Sequence, residues 1–432
     1  MKRIWVYGLI GLLAVGLAVG LSIGLPYVAI ATAYAAKTTC SGMFVSKRSL
    51  ESVRADLYAV DFVSVSVDDV AQRVTSSLYG LMPATAKYRP RMGCTLLSQS
   101  SEAELSALPV APAMTALSNL ELRAQPISPA LSAALEASFA DETGKLNTRA
   151  IVILKDGQLI AERYAAGVDS RMPLLGWSMT KSVTNAMIGL MVQDKKLSLT
   201  QPAPLEEWQN DARREITIDA LLRMSSGLEF VEDYGSPSDA TRMLFGSKNA
   251  ASVAIAAPTA AKPNEVWSYS SGTTNILQQI IRNQFAQHSD YIAYPYQRLF
   301  QKLGMTSAIL ESDASGVFIG SSFMYATARD WAKFGQLYLQ NGVWQGQRLL
   351  PEGWVRYSST PTPKSDGTYA AQFWIERNDQ SFPQDAFMAE GFEGQNVTII
   401  PSKQLVIVRL GLSRSGAFDD IAFVKRIVKA LE

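Results

Sequence analysis

The sequence predicts an α+β fold of three layers (α/β/α), in which helices cover both faces of an antiparallel sheet. A hairpin pattern stands near residue 150, a second one stands near residue 400, and the long interval between them is rich in helix signals. A sheet built from both ends of the domain, with a mostly helical lobe between them, is the simplest arrangement that satisfies these observations. A site is expected in the cleft between sheet and lobe.

The first 36 residues are expected to be a membrane anchor or a signal segment. After Lys2 and Arg3 the next charged residue is Lys37, and the interval is long enough to span a bilayer, which needs roughly 20 apolar residues. Ala33-Tyr34-Ala35 resembles a small-x-small cleavage site, so a cleaved leader is the alternative. The positive pair at the start predicts a periplasmic or otherwise extracytoplasmic protein, held in the inner membrane by this segment.

Residues 37–130 are predicted to be an extension and linker that wraps the main domain, and residues 131–432 are predicted to be that domain. The alternation in 61-DFVSVSVDD-69 is typical of a strand. The proline-punctuated stretch 108–130 is typical of a connector.

Composition excludes several classes of function. Lys and Arg (40) nearly balance Asp and Glu (39), and no basic cluster indicates a nucleic-acid partner. Cys40, Cys94 and the single histidine, His288, are too few to build a zinc site, so neither metal nor cofactor is expected. The two cysteines are expected to pair in an oxidising compartment, with two separate buried thiols as the alternative. The sequence makes no prediction of the oligomeric state.

The elements of the domain follow in order along the chain. In 149-RAIVILKDGQLIAERYA-165 two β-branched runs flank Lys-Asp-Gly, which is typical of a hairpin. Helices are indicated by 216-ITIDALLRMSSGL-228 and 326-ATARDWAKFGQLYLQNG-342. In 396-NVTIIPSKQLVIVRLG-411 a second hairpin surrounds Pro-Ser-Lys, and 418-FDDIAFVKRIVKALE-432 is apolar on a helical period.

The stretch 176-GWSMTKS-182 is the first candidate for catalysis. Positions i and i+3 of a helix share a face, so the Ser178 hydroxyl and the Lys181 amine point to one place. The following 183-VTNAMIGLMV-192 is apolar almost all round, which predicts burial and a lysine pKa lowered to about 7–8, suitable for a general base. The N–H of Ser178 at the helix start is a candidate oxyanion donor. The alternative is an N-cap serine followed by a solvated lysine.

Two further motifs follow at suitable places. In 267-WSYSSGTTNIL-277, Tyr269 stands two residues before Ser271, and a phenol near an ammonium can be held partly ionised and can relay a proton. In 389-AEGFEGQ-395 the glycines let the backbone approach a ligand, and the N–H of Phe392 is the candidate second oxyanion donor. The aromatic residues that could line a pocket, or else the core, are Trp177, Tyr234, Phe323, Trp374 and Phe392.

Together these motifs resemble those of the serine β-lactamase and penicillin-binding protein superfamily, over roughly residues 140–432. Within it the chain is most similar to the class C-like branch that includes esterases and the hydrolases of 6-aminohexanoate (nylon) oligomers. The stretches that carry the resemblance are Ser178 to Lys181, Tyr269 to Ser271 and Gly391 to Gln395, with 216–228, 325–339 and 232-EDYGSP-237 for the branch.

The resemblance implies a β-lactamase-like fold and a serine hydrolase that forms an acyl-enzyme with a small amide or ester. It implies that Ser178, Lys181 and Tyr269 are catalytic, and that Tyr234 contacts substrate and helps protonate a leaving amine. The other substrate-binding candidates are Ser271, Trp177, Gly391 and Gln395.

Two positions depart from the family's pattern. Ala389 stands where β-lactamases have the Lys or His that helps hold a β-lactam carboxylate, and Ser271 stands where many relatives have Asn. The alternatives are therefore a carboxylesterase, a weak β-lactamase or DD-peptidase, and a binding protein that keeps the fold without catalysis. A Ser-His-Asp triad would need His288, which is expected to be a solvated surface residue and has no G-x-S-x-G elbow beside it.

Overall fold

The chain begins with a long helix that packs against a small antiparallel sheet. A computed structural model describes residues 2–115, 127–414 and 416–432, with side chains in the first helix described at residue 22 and from residue 24 onward. The sheet has the strand order β1-β2-β3-β4. The elements of this N-terminal extension are α1 (Lys2–Phe44), α2 (Leu50–Arg54), β1 (Ser64–Asp68), β2 (Arg73–Leu78), β3 (Leu81–Arg89), β4 (Gly93–Leu96) and α3 (Glu102–Ala107).

The second half of α1 is packing surface of the protein. Ala33 and Ala36 are buried together with Val74 and Ala86 of the small sheet. The boundary predicted at residue 36 therefore falls inside a helix that ends at Phe44. In the described part of the chain, no helix is both long and apolar enough to cross a membrane. Most of the predicted anchor lies at residues 1–21 and 23, outside the described side chains.

Two buried links hold the extension in place. A disulfide joins Cys40 of α1 to Cys94 of β4, with the two Cα atoms 6.0 Å apart. The amine of Lys37 in α1 contacts the carboxylate of Glu311 in the main domain, and it also donates to the Cys94 carbonyl at 2.8 Å. The hydroxyl of Ser41 donates to the same carboxylate at 2.8 Å. The disulfide thus links α1 to the small sheet, and the contacts with Glu311 link α1 to the main domain.

The main domain contains two sheet-forming segments separated by a long helical one. Its first helix begins at Pro129, and residues 116–126 of the predicted connector lie outside the described residues. The elements are α4 (Pro129–Phe139), β5 (Thr148–Lys155), β6 (Gln158–Tyr164), β7 (Leu174–Leu175), α5 (Met179–Gln193), α6 (Ile218–Leu222), α7 (Asp239–Phe245), α8 (Ala250–Ile255), α9 (Ser271–Asn283), α10 (His288–Pro295), α11 (Gln301–Leu303), β8 (Ile309–Leu310), β9 (Met324–Ala326), α12 (Ala328–Leu339), β10 (Val343–Trp344), β11 (Gln347–Arg348), α13 (Trp354–Ser359), β12 (Trp374–Ile375), β13 (Phe387–Gly391), β14 (Gln395–Ile400), β15 (Leu405–Gly411) and α14 (Asp420–Ala430).

The central sheet combines strands from both ends of the domain. Its order is β12-β13-β14-β15-β5-β6, so β5 pairs with β15 across most of the domain's length. The first hairpin turns at Asp156 and Gly157, whose φ angles of 53° and 73° match a turn that needs two positive φ values. The second hairpin joins β14 to β15 through Pro401–Lys403. Both predicted hairpins, and the sheet that they form, are confirmed.

Helices cover both faces of this sheet, which confirms the predicted three layers. On β5, Val152 and Leu154 belong to the core shared with α5 and α12, whereas Ile151 and Ile153 belong to the core shared with α4 and α14. A strand that is buried on both faces is an unbroken apolar run, as this one is in the sequence. The helix predicted over 216–228 is shorter, Ile218–Leu222, because Thr217 caps its start and the chain turns after Arg223.

Candidate active site

The predicted serine and lysine meet at the start of α5. Ser178 is the residue just before the helix, and Lys181 lies in its first turn. The Lys181 amine donates to the Ser178 hydroxyl oxygen at 3.0 Å. Only 1% of the Lys181 surface is exposed, because α5 is buried along nearly its whole length. The spacing of three residues thus presents both groups at one place, and Lys181 is not the solvated lysine of the alternative.

The partners of the Lys181 amine are uncharged. Besides Ser178 it donates to the hydroxyl of Ser271 at 2.9 Å and to the carbonyl of Ser321 at 3.0 Å, and it lies 4.8 Å from the centre of the Tyr269 ring. No carboxylate of the described residues forms an ion pair with it. Desolvation lowers the pKa of Lys181 to about 8, while the charge of the nearby Glu232 acts in the opposite direction. An amine with this pKa can accept a proton near neutral pH.

Trp177, directly before Ser178, has a left-handed backbone. Its φ of 47° is unfavourable for a bulky residue and must be stabilised by its surroundings. The ring of Tyr34 from α1 lies parallel to the indole, with the two ring centres 6.5 Å apart. The ring centres of Phe323 and Phe392 lie 5.7 Å and 5.9 Å from that of the indole. Three aromatic rings therefore hold the bend that directs Ser178 toward the cleft.

The end of β13 lies against the same bend. A Cβ atom on Gly391 would lie 2.1 Å from the carbonyl oxygen of Gly176, so only glycine allows this approach of two backbones. Phe392 follows immediately, at a turn in which Glu393 has a φ of 63°. The N–H groups of Met179 and Thr180 donate to backbone carbonyls, whereas the N–H of Ser178 has no acceptor in the described protein. Two segments with candidate oxyanion donors thus adjoin each other.

Tyr269 lies beside the pair as a neutral phenol. Burial is the main cause that raises its pKa, Glu232 raises it further, and a hydrogen bond with Ser178 acts in the opposite direction. Burial thus favours the protonated phenol over the partly ionised form that the sequence allows. The ring also packs against Trp374 at 5.2 Å, so Trp374 supports Tyr269 at the cleft. A phenol that keeps its proton is suited to relay or donate it.

A carboxylate that the motifs did not single out organises this side of the cleft. Glu232 accepts hydrogen bonds from the hydroxyl of Ser271 at 2.5 Å, from the backbone N–H of Ser271 at 2.8 Å and from the hydroxyl of Tyr234 at 2.7 Å. Ser271 also accepts from Lys181, so a continuous chain of hydrogen bonds runs from Glu232 to the amine. The stretch 232-EDYGSP-237, which points to Tyr234, begins with Glu232 and so contains this carboxylate as well.

Two predicted site residues differ in role from the expectation, and one aromatic candidate lies in the core. Ser271 is fully buried, and its hydroxyl is occupied by Lys181 and Glu232 rather than free for substrate. Gln395 is buried as well, and its side-chain amide bonds to the Phe392 carbonyl and to the backbone of Gly411. Gln395 therefore fixes the turn at Phe392 and does not face the cleft. Phe323 is buried against Trp177.

His288 takes no part in this arrangement. It begins α10 and is half-buried, with Nε2 at 3.0 Å from the carbonyl oxygen of Gly316. It is thus less solvated than expected, because the loop at Gly316 covers one side of the ring. Its neighbours are Gly316 and Tyr291 rather than the nucleophile.

Four of the predicted residues line a cavity of about 390 Å³. Ser178, Trp177, Tyr234 and Phe392 all contribute to its lining. A hydroxyl, an amine with a lowered pKa and a protonated phenol at its edge can together take a proton from a nucleophile and deliver one to a leaving group.

Comparison with known proteins identifies the family. A family model described as Beta-lactamase matches residues 135–423, well over half of the chain. The chain belongs to the β-lactamase family. It is an enzyme of the hydrolase class with the β-lactamase-like fold, as the motifs implied.

The proteins to which the chain is similar include two named as 6-aminohexanoate-dimer hydrolases and one named as a carboxylesterase. The 6-aminohexanoate-dimer hydrolase of Paenarthrobacter ureafaciens is 23% identical over 290 residues, which cover 61% of this chain and 72% of that protein. A solved structure from Bacillus anthracis, provisionally assigned as a 6-aminohexanoate-dimer hydrolase, is 25% identical with a TM-score of 0.59 and covers 74% of this chain and 87% of its own. A family VIII carboxylesterase, 13% identical with a TM-score of 0.56, shares the fold over 71% of this chain and 98% of its own.

Proposed function

We propose that this family member cleaves small amides or esters through an acyl-enzyme on Ser178. One observation carries the proposal: the buried Lys181 amine contacts the Ser178 hydroxyl and has no paired carboxylate among the described residues. At a pKa of about 8, roughly a tenth of the molecules hold Lys181 uncharged at pH 7. That fraction is sufficient for general-base catalysis.

In the first step Lys181 accepts the hydroxyl proton while the Ser178 oxygen bonds to the substrate carbonyl carbon. The carbonyl oxygen becomes negatively charged and is stabilised by the N–H groups of Ser178 and Phe392 and by the start of α5. The bond to the leaving amine or alcohol then breaks. The leaving group takes a proton from the Lys181 ammonium through Tyr269, with Tyr234 as the second donor on that side.

In the second step water attacks the acyl ester on Ser178 and releases the carboxylic acid. Lys181 accepts a proton from this water and returns one to Ser178, so the free enzyme is restored. Glu232 positions neighbouring side chains in both steps. Its carboxylate fixes Ser271 and Tyr234, and its negative charge keeps the pKa of Lys181 from falling further.

The site favours simple amides and esters over β-lactams. Ala389, at the position of the family's Lys or His, is a buried residue of β13 that pairs with Val397. It offers no cation for a substrate carboxylate. The carboxylesterase alternative and the amide-hydrolase alternative share the same acyl-enzyme, and the names of the similar proteins are compatible with both.

A serine-reactive phosphonate probe and intact-protein mass spectrometry test the proposal. The wild-type protein is expected to gain one probe mass, and Ser178→Ala is expected to gain none. His288→Ala is the matched control and is expected to label at the wild-type rate, which would also remove the triad alternative. Absence of any adduct on the wild type with probe and with activated esters would favour the non-catalytic binding protein.

We also propose that the protein works in an oxidising, exported compartment such as the periplasm. The buried pairing of Cys40 with Cys94 supports this location, because such bonds persist outside the cytosol. Thiol alkylation with and without prior reduction, on protein from each cell fraction, tests it. Alkylation of both cysteines without reduction in the native fraction would contradict the proposal.

A further inference from the structure

The cavity at Ser178 is closed on one side by the N-terminal extension rather than by the catalytic domain. Side chains from the second half of α1 and from the loop after α2 line it together with Trp177, Tyr234 and Phe392. The residues of the extension that form this wall include Tyr27, Ile30, Tyr34, Tyr58, Ala59 and Phe62.

This wall is fixed relative to the nucleophile. Tyr34 is nearly parallel to Trp177, with an angle of 8° between the rings, and it meets Phe245 edge-on at 5.7 Å. One helical turn later, Lys37 forms the buried ion pair with Glu311. The disulfide at Cys40 follows on the same helix. The wall is therefore a fixed part of the cleft.

The wall is apolar and partly uncovered. Tyr27, Phe62 and Phe392 are 48%, 55% and 53% exposed, although such large apolar side chains are usually buried. Their clustering around a cavity is typical of a surface that a ligand covers. Glu393 supplies a carboxyl group to the lining, and in the described chain one of its oxygens has no hydrogen-bond partner. No lysine or arginine of the described residues lines the cavity, so it is unsuited to an anionic chain.

The cavity is lined by Ser178 and by Tyr234, the second proton donor, but not by the principal proton-transfer groups. Lys181 and Tyr269 do not line it within the described chain, whereas Ser178 and Ser322 do. A leaving group must lie where it can receive a proton, which is the side of Lys181 and Tyr269. The acyl group of the substrate therefore occupies the cavity.

We propose that the extension forms an acyl-chain subsite and that the preferred substrate has an uncharged apolar acyl chain of medium length. At about 30 Å³ for each water-sized group, a cavity of about 390 Å³ holds on the order of ten heavy atoms. A linear chain of about eight carbons, or an aryl-alkyl chain of similar size, fits this volume. The inference rests on the proposed function, because it needs an ester or amide that reacts at Ser178.

A series of 4-nitrophenyl esters from acetyl to decanoyl tests the subsite on the full chain. For the wild type, kcat/KM is expected to rise about three- to fourfold per methylene until the cavity is filled. Phe62→Ala is expected to lower kcat/KM for the octanoyl ester about tenfold and for the acetyl ester less than twofold. Tyr79→Ala, at a 95% exposed tyrosine of the same extension outside the cavity, is the control and is expected to change neither.

A second test fills the cavity instead of enlarging it, and it pairs one filling variant with a control. Ala59 and Ala55 are both exposed alanines of one loop, but only Ala59 lines the cavity. Ala59→Trp is expected to move the optimal chain length to shorter esters, and Ala55→Trp is expected to retain the wild-type optimum. A flat chain-length profile for the wild type, or identical profiles for the two tryptophan variants, would overturn the inference.

The outcomes for the two proposals are separable. Turnover of the acetyl ester with labelling of Ser178 tests the proposed function and does not need the wall. Normal acetyl turnover with no dependence on chain length would refute the subsite alone. Absence of both probe labelling at Ser178 and turnover of every ester in the series would refute the proposed function.

Discussion

Two lysines of this protein are buried in similar surroundings, one at the junction of the extension with the main domain and one at Ser178. Lys37 and Lys181 are 3% and 1% exposed, and each donates to a serine on its own helix. Each also lies close to an aromatic ring, at 4.5 Å from Phe323 and 4.8 Å from Tyr269. They differ in one partner, because the Glu311 carboxylate contacts Lys37 whereas the partners of Lys181 are neutral.

This difference teaches that burial alone does not make a lysine a base. Desolvation lowers the pKa of both amines. At Lys37 the Glu311 carboxylate opposes this effect through its charge and a direct hydrogen bond, whereas at Lys181 the Glu232 carboxylate opposes it through its charge alone. A carboxylate in contact stabilises the charged amine, so Lys37 serves as an ionic link between two parts of the fold. At Lys181 the carboxylate of Glu232 is held one residue away, behind Ser271.

The largest expected effect is that of Lys181→Met on catalysis. Removal of the base should lower kcat for 4-nitrophenyl acetate by about a thousandfold or more, since general-base catalysis contributes about 10²–10⁴-fold. The melting temperature should not fall, because the amine has no ionic partner to leave unpaired. Rates and thermal unfolding, measured on one preparation, check both. Retention of more than a tenth of the activity would contradict the role of Lys181.

The matching change at the other lysine should affect stability. Lys37→Met leaves the Glu311 carboxylate buried without its cation, which costs about 3–5 kcal/mol of unfolding free energy. Adding Glu311→Gln should recover much of this loss, because the second change removes the orphaned charge. Urea unfolding of the wild type, both single variants and the double variant measures the coupling. Equal losses in the single and double variants would contradict an ion pair that acts as a unit.

The pH dependence of kcat/KM should follow the neutral form of Lys181. The amine must be uncharged to accept the Ser178 proton, so the rate should rise with pH and level off above a pKa of about 8. Between pH 7 and pH 8 the neutral fraction grows from roughly a tenth to about half, which predicts about a fivefold increase. A profile that falls over this interval would show that the charged form is the active one.

The smallest expected effect is a shift of that profile. The negative charge of Glu232 raises the pKa of Lys181, so Glu232→Gln should lower it and move the inflection to lower pH. Glutamine keeps an oxygen for the Ser271 N–H, and therefore the position of the inflection, rather than the absolute rate, is the measurement. Asp233→Asn is the control, since Asp233 is bonded to Gly235 and Ser236 and not to the chain that reaches Lys181.

Much of the site could be predicted because its motifs are local. The pairing of Ser178 with Lys181 follows from helical spacing, and the two hairpins follow from alternation and turn residues within a few positions. Glu232 was missed because its function depends on contact with Ser271, which is distant in sequence and close only after folding. A single acidic residue in a loop carries no periodic signal.

The role of α1 was missed for a related reason. An apolar stretch such as Gly24 to Ala36 has the same composition whether it faces lipid or packs on a protein. What distinguishes the two is contact with partners far along the chain, as between Tyr34 and Trp177 or Thr32 and the Met82 carbonyl. Long-range contacts also decide which of the aromatic candidates line the cavity and which lie in the core.

The placement of Tyr34 has a practical consequence for the preparation of this protein. Shortening the chain to begin near residue 37 is a common remedy for an apolar start, and it would delete Tyr27, Ile30 and Tyr34 together. Trp177 would then lose the ring stacked on its indole, and the cavity would open to solvent. Rates and selectivities measured on such a trimmed enzyme would describe a different catalyst, so screening campaigns should use protein that retains residues 24–44.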